Sequence, residues 1–225
     1  MTRKIMQQVT EPASIGASLY GALRRDIIFG RHGPGEKLKL SALREAYGAS
    51  TSTLREALNR LTMEGFVVTE GQRGFFAAPI SEDDLRELAE LRILLESHAM
   101  HRSFARGDTA WEGRVIAAHH RLYRMEQRIN SGDMTALQHW RLYDGEFHVA
   151  LIAACHSEQL LNIHRVVFDK YLRYQFRVLT NRGEIASEQH HKMLDAALAR
   201  DAPAAKAVLR DHIEGGVSSA IQVGW

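Results

Sequence analysis

The sequence predicts a mostly α-helical protein with an N-terminal winged helix-turn-helix and a C-terminal all-α bundle of six to seven helices. Three observations predict this fold class. Apolar residues recur at helical spacing along most of the 225 residues. Two short β-branched and aromatic runs, FVVTE and GFFAAP, flank a GQRG turn, as in a β-hairpin. Beyond residue 79 no alternating strand pattern occurs, so helices must form the remaining core.

The first domain, residues 1–78, is predicted to hold three helices and the hairpin. The breaker-rich segment GRHGPG ends the first helix. The second helix, SALREAYG, takes Ser41 as its N-cap and stops at Gly48. The third, STLREALNRLTMEG, stops at Gly65. Two helices joined by a turn of about four residues form a helix-turn-helix, and the hairpin that follows supplies the wing.

The second domain, residues 79–225, reads as helix after helix. Pro79 ends the wing, and Ser81 fits an N-cap with Asp84 at the third helical position. Short polar or glycine-containing turns separate the helices, which are predicted at about 82–106, 110–130, 134–155, 157–180, 184–199 and 202–220. Helices of this length pack as a bundle around one core.

Composition excludes several classes of protein. No apolar run approaches the roughly 20 residues of a membrane span, and the N-terminus has no apolar signal core. The single cysteine, Cys155, agrees with a reducing cytoplasm. Residues 1–78 carry 11 Lys and Arg against 7 Asp and Glu, whereas 11 of the 12 histidines follow residue 78. A basic first domain is expected to face a polyanion and the histidine-rich second domain is not.

The start of the third helix is the predicted DNA-reading element. A recognition helix presents its N-terminal residues to base edges, and small hydroxyl side chains allow close approach. Arg55 adds a guanidinium fork for a guanine or a phosphate. The alternative is that the hydroxyls only cap the helix and that Arg55 pairs with Glu56 or Glu45. The predicted DNA contacts are Lys37, Lys39, Ser50, Thr51, Ser52, Thr53 and Arg55, with Arg73 and Gly74 at the wing tip.

The segment from GRHGPG to GFFAAP resembles the DNA-binding domain of the GntR family of bacterial transcription regulators. It departs from the family pattern at Thr51 and Thr53, where Arg and Pro are common, and at Ser41, where some members have a contacting Arg. The resemblance implies a winged helix-turn-helix that binds operator DNA. The matching residues are Ser50, Arg55, Glu56, Ala57, Leu58, Leu61, Glu64, Gly65, Arg73 and Gly74.

The rest of the chain resembles the effector domain of the FadR-type subfamily, called FCD. Its marks are Arg-x-x-x-Glu in the first helix, Asp-x-x-x-His in a middle helix and two later histidines. The family spaces those two histidines about 22 residues apart, which selects His190 rather than the adjacent His191 as the partner of His212. The resemblance therefore implies a metal site of Asp144, His148, His190 and His212.

The residue chemistry agrees with a metal site. Asp144 and His148 stand at i and i+4, so both project from one face of a helix. Taken alone, this pair is more typical of a surface ion pair. With His190 and His212 added, one carboxylate and three imidazoles suit a divalent ion, with zinc as first choice and nickel, manganese or iron as alternatives.

Arg92 is predicted to point into the bundle, where its guanidinium would bind the carboxylate of an effector. The alternative is an internal ion pair with Glu96. The further effector candidates are Arg141, Tyr171 and Arg173.

Two functions follow from these residues. The first is a metabolite-responsive transcription regulator, with a repressor as the favoured type. In it, a homodimer binds palindromic operator DNA, and a small carboxylate changes the affinity for that DNA. The second is a metalloenzyme whose Asp/His₃ site activates water, with the first domain as an accessory nucleic-acid-binding module. The absence of a general acid or base beside the four ligands in the sequence pattern favours the regulator over the enzyme.

Overall fold

The computed structural model describes residues 15–177 and 182–224. The chain divides into two compact units, Met1–Pro79 and Ile80–Trp225.

The first unit contains three helices and a two-stranded sheet among its described residues. The helices are α1 (Ile15–Ile28), α2 (Leu40–Tyr47) and α3 (Thr51–Met63). The antiparallel strands β1 (Val67–Thr69) and β2 (Phe75–Ala77) pair Val67 with Ala77 and Thr69 with Phe75. The predicted winged helix-turn-helix is confirmed.

One helix start differs from the sequence prediction. α2 begins at Leu40, and Lys39, in extended conformation, is its N-cap residue in place of Ser41. Ser41 lies inside the first turn and not at the cap position, from which a side chain accepts hydrogen bonds from amides two or three residues later. The predicted stop at Gly48 is observed, since this glycine adopts the left-handed conformation, with φ of 64°.

Apolar side chains of α1 and α3 form the centre of the first unit. Leu23, Leu54, Leu58 and Leu61 are fully buried. They recur at helical spacing, which is why one face of α3 packs on α1 while the opposite face stays in solvent.

The second unit is all-helical in its described part, as predicted. It contains α4 (Glu82–Arg106), α5 (Thr109–Asn130), α6 (Leu137–Ile152), α7 (Glu158–Gln175), α8 (Glu184–Leu198) and α9 (Ala202–Val223). Ser81 caps α4 by accepting a hydrogen bond from the Asp84 amide. A short 3₁₀ turn, Met134–Ala136, precedes α6 where the sequence predicted a continuous helix. α7 ends at Gln175, whereas the predicted helix ran to about 180; residues 178–181 lie outside the described residues.

α4 packs against α6, α7 and α9, while α5 packs against α6 and α8. The core includes Leu85, Met100, Trp111, Phe147 and Leu209, all fully buried. Within the described residues, no helix is both long and apolar enough to cross a membrane. The packing brings one face of α6 opposite α8 and α9, and this is where the polar residues of the bundle interior gather.

Candidate metal centre and DNA-binding surface

Four predicted ligands from three helices meet inside the helical unit. α6 supplies Asp144 and His148, α8 supplies His190, and α9 supplies His212. One ligand atom from each lies within 4.8 Å of those of the other three. The ring centroids of His190 and His212 are 4.6 Å apart, and those of His148 and His212 are 5.4 Å apart. Ligands on opposite sides of one ion stand about 4.2 Å apart when each bond is about 2.1 Å, so only small side-chain rotations separate this cluster from a coordination sphere.

The cluster is an interior site. His148 and His190 are fully buried, Asp144 is 3% exposed and His212 is half-buried. This burial excludes the surface ion pair that the Asp144–His148 spacing alone favoured. Buried charged and polar groups are costly unless they are paired or bind a ligand.

In each of the three histidines, Nδ1 lies against a side chain outside the cluster. Nδ1 of His148 lies 3.0 Å from Glu96 Oε2, and Nδ1 of His190 lies 2.6 Å from Glu126 Oε1. Nδ1 of His212 lies 3.2 Å from Gln189 Oε1 and 3.3 Å from Arg182 Nη2. A carboxylate accepts only, so the rings beside Glu96 and Glu126 donate to it through Nδ1–H, and Nε2 of each ring points away from that carboxylate. Metal-bound histidines typically have such an acceptor on their outer nitrogen.

The unpaired atoms also fit a cation. Nε2 of His148 and of His190 are buried, and neither has a hydrogen-bond partner in the described part of the chain. Asp144 Oδ2 accepts a 2.7 Å hydrogen bond from Gln175 Nε2, which leaves Oδ1 toward the centre. Three imidazole nitrogens and one carboxylate oxygen suit zinc, nickel, manganese or iron, with positions left for water or an effector carboxylate.

The electrostatics of the protein alone favour a positive charge at this site. Burial lowers the pKa of His190, but Asp144 and Glu126 outweigh it and raise that pKa to about 9. Burial would raise the pKa of Asp144, yet its contacts with His190 and the charge of His148 hold it well below its usual range. Burial, with the charges of His190 and His148, lowers the pKa of His212. The carboxylates around the cluster thus attract a cation, whether proton or metal.

Arg92 lies next to this cluster and is itself buried, with 3% of its surface exposed. Its Nε donates a 2.7 Å hydrogen bond to Glu96 Oε1, so the internal ion pair foreseen as an alternative is present. Its guanidinium carbon lies 4.4 Å from the ring centre of Tyr171 and 4.7 Å from that of Phe168. Nη2 is buried with no partner among the described residues. One edge of the fork therefore remains available for an anion.

The other effector candidates are placed differently from one another. Tyr171 is buried, and burial together with the nearby Asp144 and Glu96 raises its pKa to about 12, so its hydroxyl stays protonated. Arg141 is half-buried over the ring of Phe176, and its Nε has no partner in the described part of the molecule. Arg173 lies about 200° around the helix from Tyr171, beside Tyr174 and Asp84. The structure does not bring Arg173 to the metal cluster.

Of the adjacent histidines His190 and His191, the sequence analysis selected His190 as the candidate metal ligand. His190 faces the cluster, whereas the side chain of His191 is 64% exposed and lies 3.7 Å from Asp195. Neighbouring residues project about 100° apart around a helix, so only one of the two can enter the interior.

Several residues that support the cluster escaped sequence reasoning. Glu126, Gln175 and Gln189 hold the candidate ligands, and Arg182 donates to Gln189 Oε1 and to the carbonyl oxygen of His212. A side chain at Gly215 would clash with this guanidinium, so the glycine leaves room for it. Glu126 acts on a histidine 64 residues away, and no local spacing could reveal that contact.

In the first unit, most of the predicted DNA contacts are exposed to solvent. Ser50, Thr51, Ser52 and Arg55 are exposed at the start of α3, and Thr53 is half-buried. Ser50 caps the helix by accepting from the Thr53 amide at 3.2 Å, and its hydroxyl also lies 2.8 Å from that of Ser52. The alternative that the hydroxyls cap the helix therefore holds for Ser50. Among the described residues, Arg55 forms an ion pair with neither Glu56 nor Glu45.

The wing carries the remaining predicted contacts. Arg73 is 75% exposed and lies 2.6 Å from Glu70, while Gly74 turns the chain with φ of 100°. Lys37 is exposed and forms an isolated bridge with Phe76 of β2, which places it beside the wing. Lys39 is exposed at the start of α2. Positive groups therefore stand on both the wing and the helix-turn-helix, as phosphate contacts require.

Comparison with family models finds two matches that together span most of the chain. Residues 16–77 match the model described as bacterial regulatory proteins, gntR family, and residues 87–215 match the FCD domain. These regions correspond to the winged helix-turn-helix and to the helical bundle that contains the histidine cluster.

Similar proteins are HTH-type transcription regulators. The chain is 37% identical over 215 residues to BphR of Paraburkholderia xenovorans strain LB400, covering 94% of this chain and 87% of that protein. It is 34% identical over 200 residues to the transcriptional repressor GlaR of Escherichia coli K12, covering 86% and 90%. The structure of E. coli McbR/YncC has a TM-score of 0.77 at 19% identity, covering 94% of this chain and 99% of the other. A GntR-type regulator from Rhodococcus sp. RHA1 has a TM-score of 0.75 at 24% identity, covering 94% and 100%.

Proposed function

Since this chain belongs to the gntR family of bacterial transcription regulators and carries an FCD domain, we propose that it is a metal-dependent, metabolite-responsive repressor. The family assignment makes the chain a DNA-binding transcription regulator. Its relatives are also transcription regulators and not enzymes. In the proposal, a small carboxylate binds in the helical domain beside a divalent ion and changes the affinity of the winged helix for its operator.

One observation carries the proposal. Four side chains able to bind a metal converge in the interior, next to the unpaired Nη2 of Arg92. Nδ1 of His148 and of His190 each lies against a carboxylate that accepts from it. Asp144, His148, His190 and His212 would hold the ion, and the ion would supply a Lewis-acidic position for a carboxylate oxygen. The guanidinium of Arg92 would bind a second oxygen of the same group. Tyr171 and Arg141 are proposed to line the same effector site.

A carboxylate is the effector class that this chemistry favours. Asp144, Glu96 and Glu126 surround the site with negative charge, so an anion could enter only where positive charge outweighs it. The ion and Arg92 provide that charge at one edge of the cluster. A neutral sugar or an amine would leave Nη2 of Arg92 without a charged partner.

The proposed DNA-bound form is a homodimer on a palindromic site. A winged helix contacts only a few base pairs, and two copies related by a twofold axis read two half-sites. Arg55 and the hydroxyl side chains of residues 50–53 are proposed to contact bases, and Lys37, Lys39 and Arg73 phosphates or the minor groove. The repressor assignment draws on GlaR, which is described as a repressor.

The proposal is tested by a thermal-shift screen of small mono- and dicarboxylates on the full chain, with zinc and with a chelator. We expect a subset of carboxylates to raise the unfolding temperature only when zinc is present. A ligand qualifies as effector if it also changes affinity for an operator selected from random duplex DNA. Equal stabilisation with zinc and with chelator would separate the effector from the metal and contradict the proposal.

A further inference from the structure

We infer that Glu96 is a positioning residue that couples Arg92, the proposed effector anchor, to His148, a proposed metal ligand. The inference rests on the proposed function. It adds a route by which binding of the effector and binding of the metal ion affect each other. It assigns Arg92 an influence on metal affinity although Arg92 is not one of the four ligands.

The carboxylate of Glu96 contacts three side chains, those of Arg92, His148 and His164. This carboxylate is fully buried. Oε1 accepts from Arg92 Nε at 2.7 Å and lies 3.1 Å from His164 Nε2. Oε2 lies 3.0 Å from His148 Nδ1. Because a carboxylate accepts only, each of these neighbours is a donor, and Glu96 joins α4 to α6 and α7 through charge-assisted hydrogen bonds.

The position of Glu96 fixes how His148 faces the cluster. With Nδ1–H donating to Glu96, the ring is held in the form whose Nε2 lone pair points to the other ligands. A rotation of the Glu96 carboxylate would turn or release this ring. Arg92 restrains that rotation, since it holds Oε1 while the rings of Tyr171 and Phe168 hold the guanidinium.

An anion at Arg92 acts on the same chain of contacts. The anion would bind to the unpaired Nη2 of Arg92, while Nε of the same guanidinium donates to Glu96. Any shift of the guanidinium toward the anion is therefore passed to the carboxylate and from there to His148. By thermodynamic reciprocity, metal binding at His148 must change the affinity of Arg92 for the anion by the same factor.

The chain contains its own control for this inference. Glu126 holds His190 as Glu96 holds His148, with a 2.6 Å contact to Nδ1. Its other oxygen accepts from Ser187 Oγ at 2.7 Å. Among the described residues its partners are thus a histidine and a serine, with no arginine between it and an effector. Replacing Glu126 disturbs an equivalent ligand and leaves the Arg92 route intact.

The test is a double-mutant cycle on zinc affinity, measured by competition with a chromophoric chelator using the full chain and zinc alone. Arg92→Met is made in the wild type and in the Glu96→Gln and Glu126→Gln backgrounds. Loss of a contact behind a metal ligand typically weakens affinity by roughly 10- to 100-fold. We expect Arg92→Met to weaken zinc binding about tenfold in the wild type and in Glu126→Gln, and to add nothing in Glu96→Gln.

If Arg92→Met weakens zinc binding equally in Glu96→Gln and in Glu126→Gln, or has no effect in the wild type, the coupling is overturned while the metal site stays in place. Failure of the wild type to bind zinc would instead overturn the proposed function and the coupling with it. Circular dichroism of each zinc-free variant checks the fold. If Arg92→Met does not fold, Arg92→Lys keeps the charge and must show the same dependence on Glu96.

Discussion

Asp144 Oδ1 lies 3.1 Å from His190 Nε2 in the interior of the helical domain, yet this nitrogen makes no hydrogen bond within the described part of the chain. A carboxylate oxygen and a ring nitrogen at this separation are spaced like adjacent ligands of one ion with bonds of about 2.1 Å. The same pair explains why the metal-free protein attracts a proton to His190. A divalent ion would take the place of that proton.

Replacing His190 and His191 separately should distinguish a ligand from its neighbour. We expect His190→Ala to lose stoichiometric zinc, because it removes one of the three imidazoles of the cluster. His191→Ala should retain zinc, because its side chain is 64% exposed and faces away from the cluster. Metal analysis of both proteins after zinc loading and desalting makes the comparison. Loss of zinc from His191→Ala alone would reverse the assignment.

Removal of the metal should destabilise the helical domain. A ligand that binds only the folded state adds free energy of unfolding, about 2.7 kcal/mol when free zinc is 100 times its Kd. We therefore expect a chelator to lower the unfolding temperature and added zinc to restore it. His148→Ala should be insensitive to both treatments. A chelator effect of the same size in His148→Ala would place the responsive site elsewhere.

Arg55→Ala should weaken sequence-specific DNA binding without unfolding the protein. Arg55 is exposed near the start of α3, and loss of a bidentate base contact costs about 1–3 kcal/mol of discrimination. Arg210→Ala is the matched control, since it removes the same charge from an exposed position on α9. Both are measured by fluorescence anisotropy on selected and scrambled duplexes. Equal losses in the two variants would indicate a nonspecific charge effect.

Ser50 and Ser52 should separate capping from DNA contact. Ser50 caps α3, so Ser50→Ala should cost about 1 kcal/mol of stability as well as DNA affinity. Ser52 contributes no cap to the helix amides in the described hydrogen bonds, so Ser52→Ala should reduce DNA affinity with little change in stability. Urea unfolding and DNA titration of the two variants are compared. A stable Ser50→Ala protein would remove the capping assignment.

The fold was predictable because its signals are local. Apolar spacing, the glycine stops at Gly48 and Gly65 and the Ser81 cap all act within a few residues of the feature they determine. The helix-turn-helix, the wing and the bundle follow from them. The shift of the α2 start to Leu40 and the 3₁₀ turn before α6 were missed because competing caps and turns differ by only small free energies.

The candidate site was predictable only in part. The four ligands came from the family spacing, since His190 and His212 have no local signal that joins them to Asp144. The acceptors Glu126 and Gln189 and the cation Arg182 depend on how α5, α8 and α9 pack. Arg173 shows the opposite case, in which a pocket candidate chosen by composition lies on another face of α7. Contacts between distant helices need the structure.

Anomalous scattering at the zinc edge from crystals of the zinc-loaded protein tests the central claim most directly. The account predicts an anomalous peak about 2.1 Å from Nε2 of His148, His190 and His212 and from an Asp144 oxygen, with each Nδ1 still bonded to its acceptor. A peak bound through Nδ1, or a zinc-loaded crystal whose only peaks lie on the protein surface, would contradict it.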